Sequence, residues 1–152
     1  MTPPAAALDD PAALAAARHP ELSGRVAIVT GGTRGIGLGI VRVLARAGMK
    51  LVVTGRRAER LERVSAELAE GGFPHVALQA DHARAESSRA VVERAAADFG
   101  RVDALVANAQ SYRPVTPLAD VTERDFDTVL ETGPKGTLWL MQAVLQDRKS
   151  VV

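Results

Sequence analysis

The chain has 152 residues, 47% hydrophobic and 24% charged, with 19 Lys plus Arg against 18 Asp plus Glu and a formal net charge of +1. That profile fits one globular domain with a sizeable core and argues against a disordered tail, a nucleic-acid groove or an anionic membrane surface as partner. Cysteine is absent, which excludes disulfides, thiolate zinc sites and a cysteine nucleophile, and His19, His75 and His82 share no ligand spacing, so no metal is expected. No apolar run reaches the roughly 18 residues of a membrane span, and Asp9 and Asp10 stand where a signal peptide would be basic or apolar, so a cytoplasmic protein is expected.

Residues 1–22 are rich in Ala and Pro and read as a flexible extension, with Ala12 to Ala17 able to form a short helix. From Val26 the pattern becomes regular. Val26-Ala27-Ile28-Val29 is a continuous apolar run closed by Gly31 and Gly32, the signature of a strand buried on both faces. Gly35 to Gly48 then carries Ile36, Ile40, Val43, Leu44 and Ala47 at helical spacing, with Gly48 placed to stop the helix. Leu51-Val52-Val53 predicts a second strand, and Leu61, Val64 and Leu68 a second helix ended by Gly71-Gly72. His75 to Gln79 predicts a weaker third strand, Ala83 to Phe99 a third helix before Gly100, and Ala104 to Ala107 a fourth strand. Beyond Pro114 and Pro117, Val121 to Leu145 reads as one long helix, with a kink or break at Gly133-Pro134 because proline removes a donor and costs about 3 kcal/mol in a helix interior.

Strands alternating with helices through short connections imply right-handed crossovers and a parallel sheet covered on both faces, a doubly wound α/β fold. Ligands of such sheets bind beyond the carboxyl ends of the strands, which directs attention to the loops after each strand. The first of these loops reads Thr30-Gly31-Gly32-Thr33-Arg34-Gly35-Ile36-Gly37. Its glycines let the backbone approach a pyrophosphate, and the following helix offers free N–H groups and a partial positive charge. The spacing is T-G-x-x-x-G-x-G, not G-x-G-x-x-G, since Ile40 stands where the third glycine of that fingerprint would fall.

This octet, preceded by Leu22 to Val29, resembles the opening of the short-chain dehydrogenase/reductase family, and the resemblance runs to about Leu145. It implies a Rossmann-type sheet of order 3-2-1-4, the first four strands of six, with residues 23–146 forming a partial NAD(P)-binding domain. It also implies a cofactor-binding set of Gly31, Thr33, Arg34, Gly35, Ile36 and Gly37 in the first loop. Gly55 replaces the acidic residue that would select NAD, and Arg56 and Arg57 follow it, so with Arg34 the expected preference is for NADP(H), NAD(H) remaining an alternative. Asp81 matches the family's adenine-contacting acid, with His82 beside it; a helix cap before residues 83–99 is the alternative role of Asp81. Asn108 and Ala109 match the segment after the fourth strand, whereas Ala107 and Gln110 depart from it.

The family transfers hydride to or from a carbonyl or alcohol carbon, using a tyrosine and lysine pair, a serine and a helix asparagine. No catalytic residue can be assigned here. The sole tyrosine, Tyr112, has Thr116 four residues on instead of lysine, and Gly133 stands at the asparagine position. An amino-terminal portion of an NADP(H)-dependent oxidoreductase is therefore expected, inactive alone. Residues 147–152 read as a non-family tail, an artefact of a gene model run past its end. A non-catalytic dinucleotide-binding or interaction module is the alternative. The exposed edge of the fourth strand and the apolar last helix imply a homo-oligomer when complete.

Overall fold

The computed structural model describes residues 19–111 and 116–149; the Ala12 to Ala17 run, Tyr112, Pro114 and the chain end beyond Lys149 lie outside the described residues. Four strands are present: β1 (Val26–Val29), β2 (Lys50–Gly55), β3 (His75–Gln79) and β4 (Ala104–Val106). Between them run α1 (Gly35–Arg46), α2 (Ala58–Glu70) and α3 (Ala85–Phe99), and after β4 come α4 (Glu123–Leu130) and α5 (Gly136–Lys149). The sheet order is β3-β2-β1-β4 and every pairing is parallel, with Ile28 opposite both Val52 and Leu105, and Val52 opposite Val76. The doubly wound arrangement expected from the alternation is thus the one that forms.

Alternate residues along each strand feed two separate cores. Ala27, Val29, Leu51 and Val53 pack with Val41 and Ala45 of α1 and with Val64 and Leu68 of α2. Ile28 and Val52 face the other way, onto Val91, Val92 and Ala95 of α3 and Ala143 and Val144 of α5. All four residues of β1 are fully buried, at about 1.5–3 kcal/mol for each large apolar side chain. The central strand is thereby the most firmly held, and the loop at its carboxyl end hangs from a rigid base.

Pro20–Leu22, at the end of the Ala- and Pro-rich extension, forms a single 3-10 turn, with Leu22 packed against the α1-side core. Two sequence expectations about helix ends need correction. The third helix begins at Ala85, not residue 83, and its cap position is Arg84 without a side-chain cap, so Asp81 does not cap it. Asp81 instead accepts the Ala83 N–H at 3.2 Å, closing a local turn. The last long helix begins at Glu123, two residues after Val121, where Thr122 and Asp125 form a reciprocal capping box, and it continues past Leu145 to Lys149.

Nor does that helix break at Gly133-Pro134. Glu131–Lys135 widens into a π-helical turn, in which the Gly136 N–H reaches back five residues to the Glu131 carbonyl. Proline has no N–H to give, and the wider turn absorbs the missing bond without ending the helix.

Candidate functional site

The carboxyl ends of β1 and β4 are locked together by one hydroxyl and one carboxamide. Thr30 is fully buried at the end of β1, and its hydroxyl accepts the N–H groups of Asn108 at 3.0 Å and Ala109 at 2.9 Å. Asn108 returns a bond from Nδ2 to the Thr30 carbonyl at 2.9 Å. Asn108 thereby ties the loop after β4 to the end of β1. Thr30 is the partner that sequence reasoning missed; a buried threonine directly after an apolar strand was the available signal.

The glycine loop is shaped by close approach. Gly31 has φ +65°, and a Cβ there would meet the Ala109 backbone at 3.1 Å; a Cβ on Gly37 would collide with the Gly31 carbonyl. Gly35 is different. Its φ is +52°, and a Cβ built on it meets nothing within 4 Å, so the head of α1 opens onto free space. Arg34 holds the cap position with no side-chain cap, leaving the first-turn amides of Gly35, Ile36 and Gly37 without an acceptor among the described residues. Ile36 turns its side chain outward and is 79% exposed. An anionic diphosphate fits this cradle, because backbone donors and the helix dipole converge on a space that a side chain would fill.

Beside the cradle, Gly55 ends β2 and is buried against Thr33, whose Cγ2 would lie 2.8 Å from an added Cβ. An acidic side chain at Gly55 would have to displace Thr33. Arg56 and Arg57 follow, exposed, and Gln79 donates from Nε2 to the Arg56 carbonyl at 3.0 Å, fixing the backbone that presents them. A cleft of about 570 Å³ opens here, lined by Arg56, Gln79, Asp81, Arg84, Glu86 and Ser87. Arg84 was not foreseen, since nothing in its local sequence shows that the turn after β3 faces Arg56. Among the described residues, none of Arg34, Arg56, Arg57 and Arg84 forms an ion pair, and Arg56 and Arg84 line the cleft together with the carboxylates of Asp81 and Glu86.

His82 does not face the cleft as expected. Its ring is buried, with Nε2 at 2.8 Å from the Thr54 hydroxyl and Nδ1 at 3.0 Å from the Ser88 hydroxyl. An imidazole can satisfy both nitrogens with hydroxyls only by turning inward between β2 and α3, which removes its side chain from any ligand. Burial pushes its pKa below the ordinary value, with neighbouring Asp81 opposing. His82 thus braces the Asp81 turn from beneath.

Gln110 and Ser111 carry the β4 loop onto the π-helical turn. The Ser111 N–H donates to Thr132 Oγ1 at 2.9 Å, and the Gln110 side chain lies over Gly133. A larger cleft of about 1020 Å³ opens at the opposite, amino ends of the strands, beside Arg25, Met49 and Asp103. It is remote from the strand carboxyl ends, and the Asp103 carboxylate already accepts the Val26 N–H and the Arg25 and Arg101 guanidiniums. Burial raises the pKa of that carboxyl, but these donors outweigh it and hold it at about 2. No group of metal-ligating side chains and no helix long and apolar enough to cross a membrane occurs among the described residues.

A parallel sheet of order 3-2-1-4 with an open, glycine-lined helix head at its first crossover defines a dinucleotide-binding fold of the Rossmann class. The profile of the short chain dehydrogenase family matches residues 25–150, and the chain belongs to that family. It is 38% identical over 120 residues to a short chain dehydrogenase/reductase of Aspergillus novofumigatus, covering 78% of this chain and 45% of that protein. Among solved structures it is similar to a short chain dehydrogenase from Burkholderia cenocepacia in complex with NADP, at 37% identity and a TM-score of 0.77, covering 82% of this chain and 51% of that one. A metagenomic blue fluorescent protein in complex with NADPH is similar at 36% identity and a TM-score of 0.75, covering 82% and 51%. The chain spans about half the length of the relatives it matches.

Proposed function

We propose that this chain is the cofactor-binding part of an NADP(H)-dependent oxidoreductase that interconverts a carbonyl and an alcohol in the whole protein. The observation that carries this is the open head of α1 at Gly35, where free amides face a space bordered by unpaired arginines. In this reading the amides of Gly35, Ile36 and Gly37 hold the diphosphate, Gly31 and Thr33 shape the loop, and Asn108 and Ala109 wall the nicotinamide side. The Asp81 turn lies beside the adenine. Arg34, Arg56 and Arg57, joined by Arg84, hold the ribose 2′-phosphate, for which a guanidinium supplies paired donors as well as charge. The NADP and NADPH complexes of the similar structures support that preference. When bound, the nicotinamide supplies hydride chemistry; this chain's residues bind and orient it.

The sequence contains no tyrosine followed four residues later by lysine, so binding without turnover is expected of the 152-residue chain. The exposed Phe126, Leu138, Met141 and Leu145 on α4 and α5 support association with further subunits. Titrating the chain with NADPH and NADH, with a carbonyl-reduction assay alongside, tests the function. Saturable binding with NADPH preferred and no turnover is the expected result; equal affinity for both cofactors or absence of binding would overturn it.

A further inference from the structure

The carboxamide of Gln110 stands at the mouth of the crevice between β1 and β4. Its own loop is fixed twice: Asn108 and Ala109 bond Thr30 on the β1 side, and Ser111 bonds Thr132 on the helix side. Thr132 is itself anchored, donating from Oγ1 to the Thr128 carbonyl at 2.8 Å. Between these anchors Gln110 reaches over the π-helical turn, where a Cβ on Gly133 would come within 3.2 Å of Nε2 and 3.4 Å of Cδ. The glycine gives the glutamine room, since a methyl group at 133 would already press on the carboxamide at 110, which would have to give by a few tenths of an ångström. Among the described residues the Gln110 carboxamide makes no hydrogen bond, although the loop that presents it is tied down on both flanks. A polar group that is held in place by its backbone, given room by a glycine and left with free donor and acceptor is suited to a ligand with hydroxyl or amide groups.

We infer that Gln110 is a specificity-determining contact for the nicotinamide half of the dinucleotide, its carboxamide bonding the ribose hydroxyls or the nicotinamide amide, and that Gly133 is small to admit it. This rests on the proposed binding of NADP(H), with the diphosphate at the head of α1 and the adenosine half at the cleft lined by Arg56 and Arg84. Gln110 then contributes only to ligands that extend across β1 towards β4.

Two probes separate the halves of the site: NADPH, and adenosine 2′,5′-bisphosphate, which lacks the nicotinamide end. Q110L keeps bulk over Gly133 and removes the amide. It is expected to weaken NADPH about five- to tenfold, the worth of one neutral hydrogen bond, while leaving adenosine 2′,5′-bisphosphate within about twofold. In Q110G/G133N the amide is supplied from the helix instead, and NADPH affinity is expected to return to within about threefold of the unmodified chain. NADPH affinity unchanged or tightened in Q110L, or an equal loss for both probes, would overturn the assignment of Gln110 alone. Failure of the unmodified chain to bind NADPH at all would overturn the proposed function, and this inference with it.

Discussion

Asn108 and Thr30, 78 positions apart in sequence, satisfy each other's main-chain groups: the Thr30 hydroxyl accepts the Asn108 N–H, and the Asn108 carboxamide donates to the Thr30 carbonyl. This reciprocal pair fixes the loop after β4 against the glycine loop after β1. Replacing Asn108 with Ala leaves the carbonyl of buried Thr30 without its donor. It should cost on the order of 1–2 kcal/mol in urea denaturation and also weaken NADPH binding. Unchanged stability would mean that the loops are held by something else.

Gly35 and Gly37 should respond differently to the same added methyl group. At Gly35 the methyl points into open space, so G35A should lose roughly 1 kcal/mol from the left-handed backbone and more than tenfold in NADPH affinity. At Gly37 it strikes the Gly31 carbonyl, so G37A should be the less stable protein of the two. Thermal melts and NADPH titration of both variants check this contrast.

Arg56 and Arg84 line one cleft from the loops after β2 and β3. Arg56→Asp should weaken NADPH by about 1–3 kcal/mol while changing NADH far less, because only the former carries the 2′-phosphate. Arg84→Ala should act in the same direction by a smaller amount. Equal losses for the two cofactors would place the arginines outside the phosphate site.

Asp103 makes a prediction about acid. Its folded pKa of about 2 lies below the ordinary 3.8, so its contribution is fully present above pH 3.8 and lost as pH falls towards 2. The D103N variant should be less stable than the unmodified chain at pH 6, by on the order of 1–2 kcal/mol, and the gap should narrow on acidification. A gap that persists at low pH would show that packing, not charge, is lost.

His82 works in the same sense, but in a higher pH range. Its folded pKa is lowered from 6.5, so the unfolded chain takes up the proton first and stability falls as pH drops below 6.5. H82Q cannot titrate and should show a smaller fall between pH 7.5 and 5.5 in chemical denaturation. A fall equal to that of the unmodified chain would assign the effect to other groups.

The sheet was legible in the sequence because buried parallel strands are written as unbroken apolar runs, and β1 forms over the residues that such a run predicts. The helix pattern was equally plain, but its ends depended on local bonding: Asp81 closes a turn instead of a cap, and Thr122 with Asp125 sets the start of α4. Pro134 signalled a disturbance without its form, since whether proline breaks, kinks or widens a helix depends on what packs around it. In the site, the glycine loop could be read from residue type alone. The inward turn of His82 could not, because it depends on hydroxyls from Thr54 and Ser88 that only the folded chain brings together. Arg84 escaped notice for the same reason.

The most direct measurement is an amide-resolved NMR titration of the 152-residue chain with NADP+. The largest saturable shifts are predicted at the amides of Gly35, Ile36 and Gly37, with further shifts at Arg56 and Arg84 and none around Arg25 and Asp103 at the amino ends of β1 and β4. Saturation with those three amides unmoved would contradict the placement of the diphosphate at the head of α1.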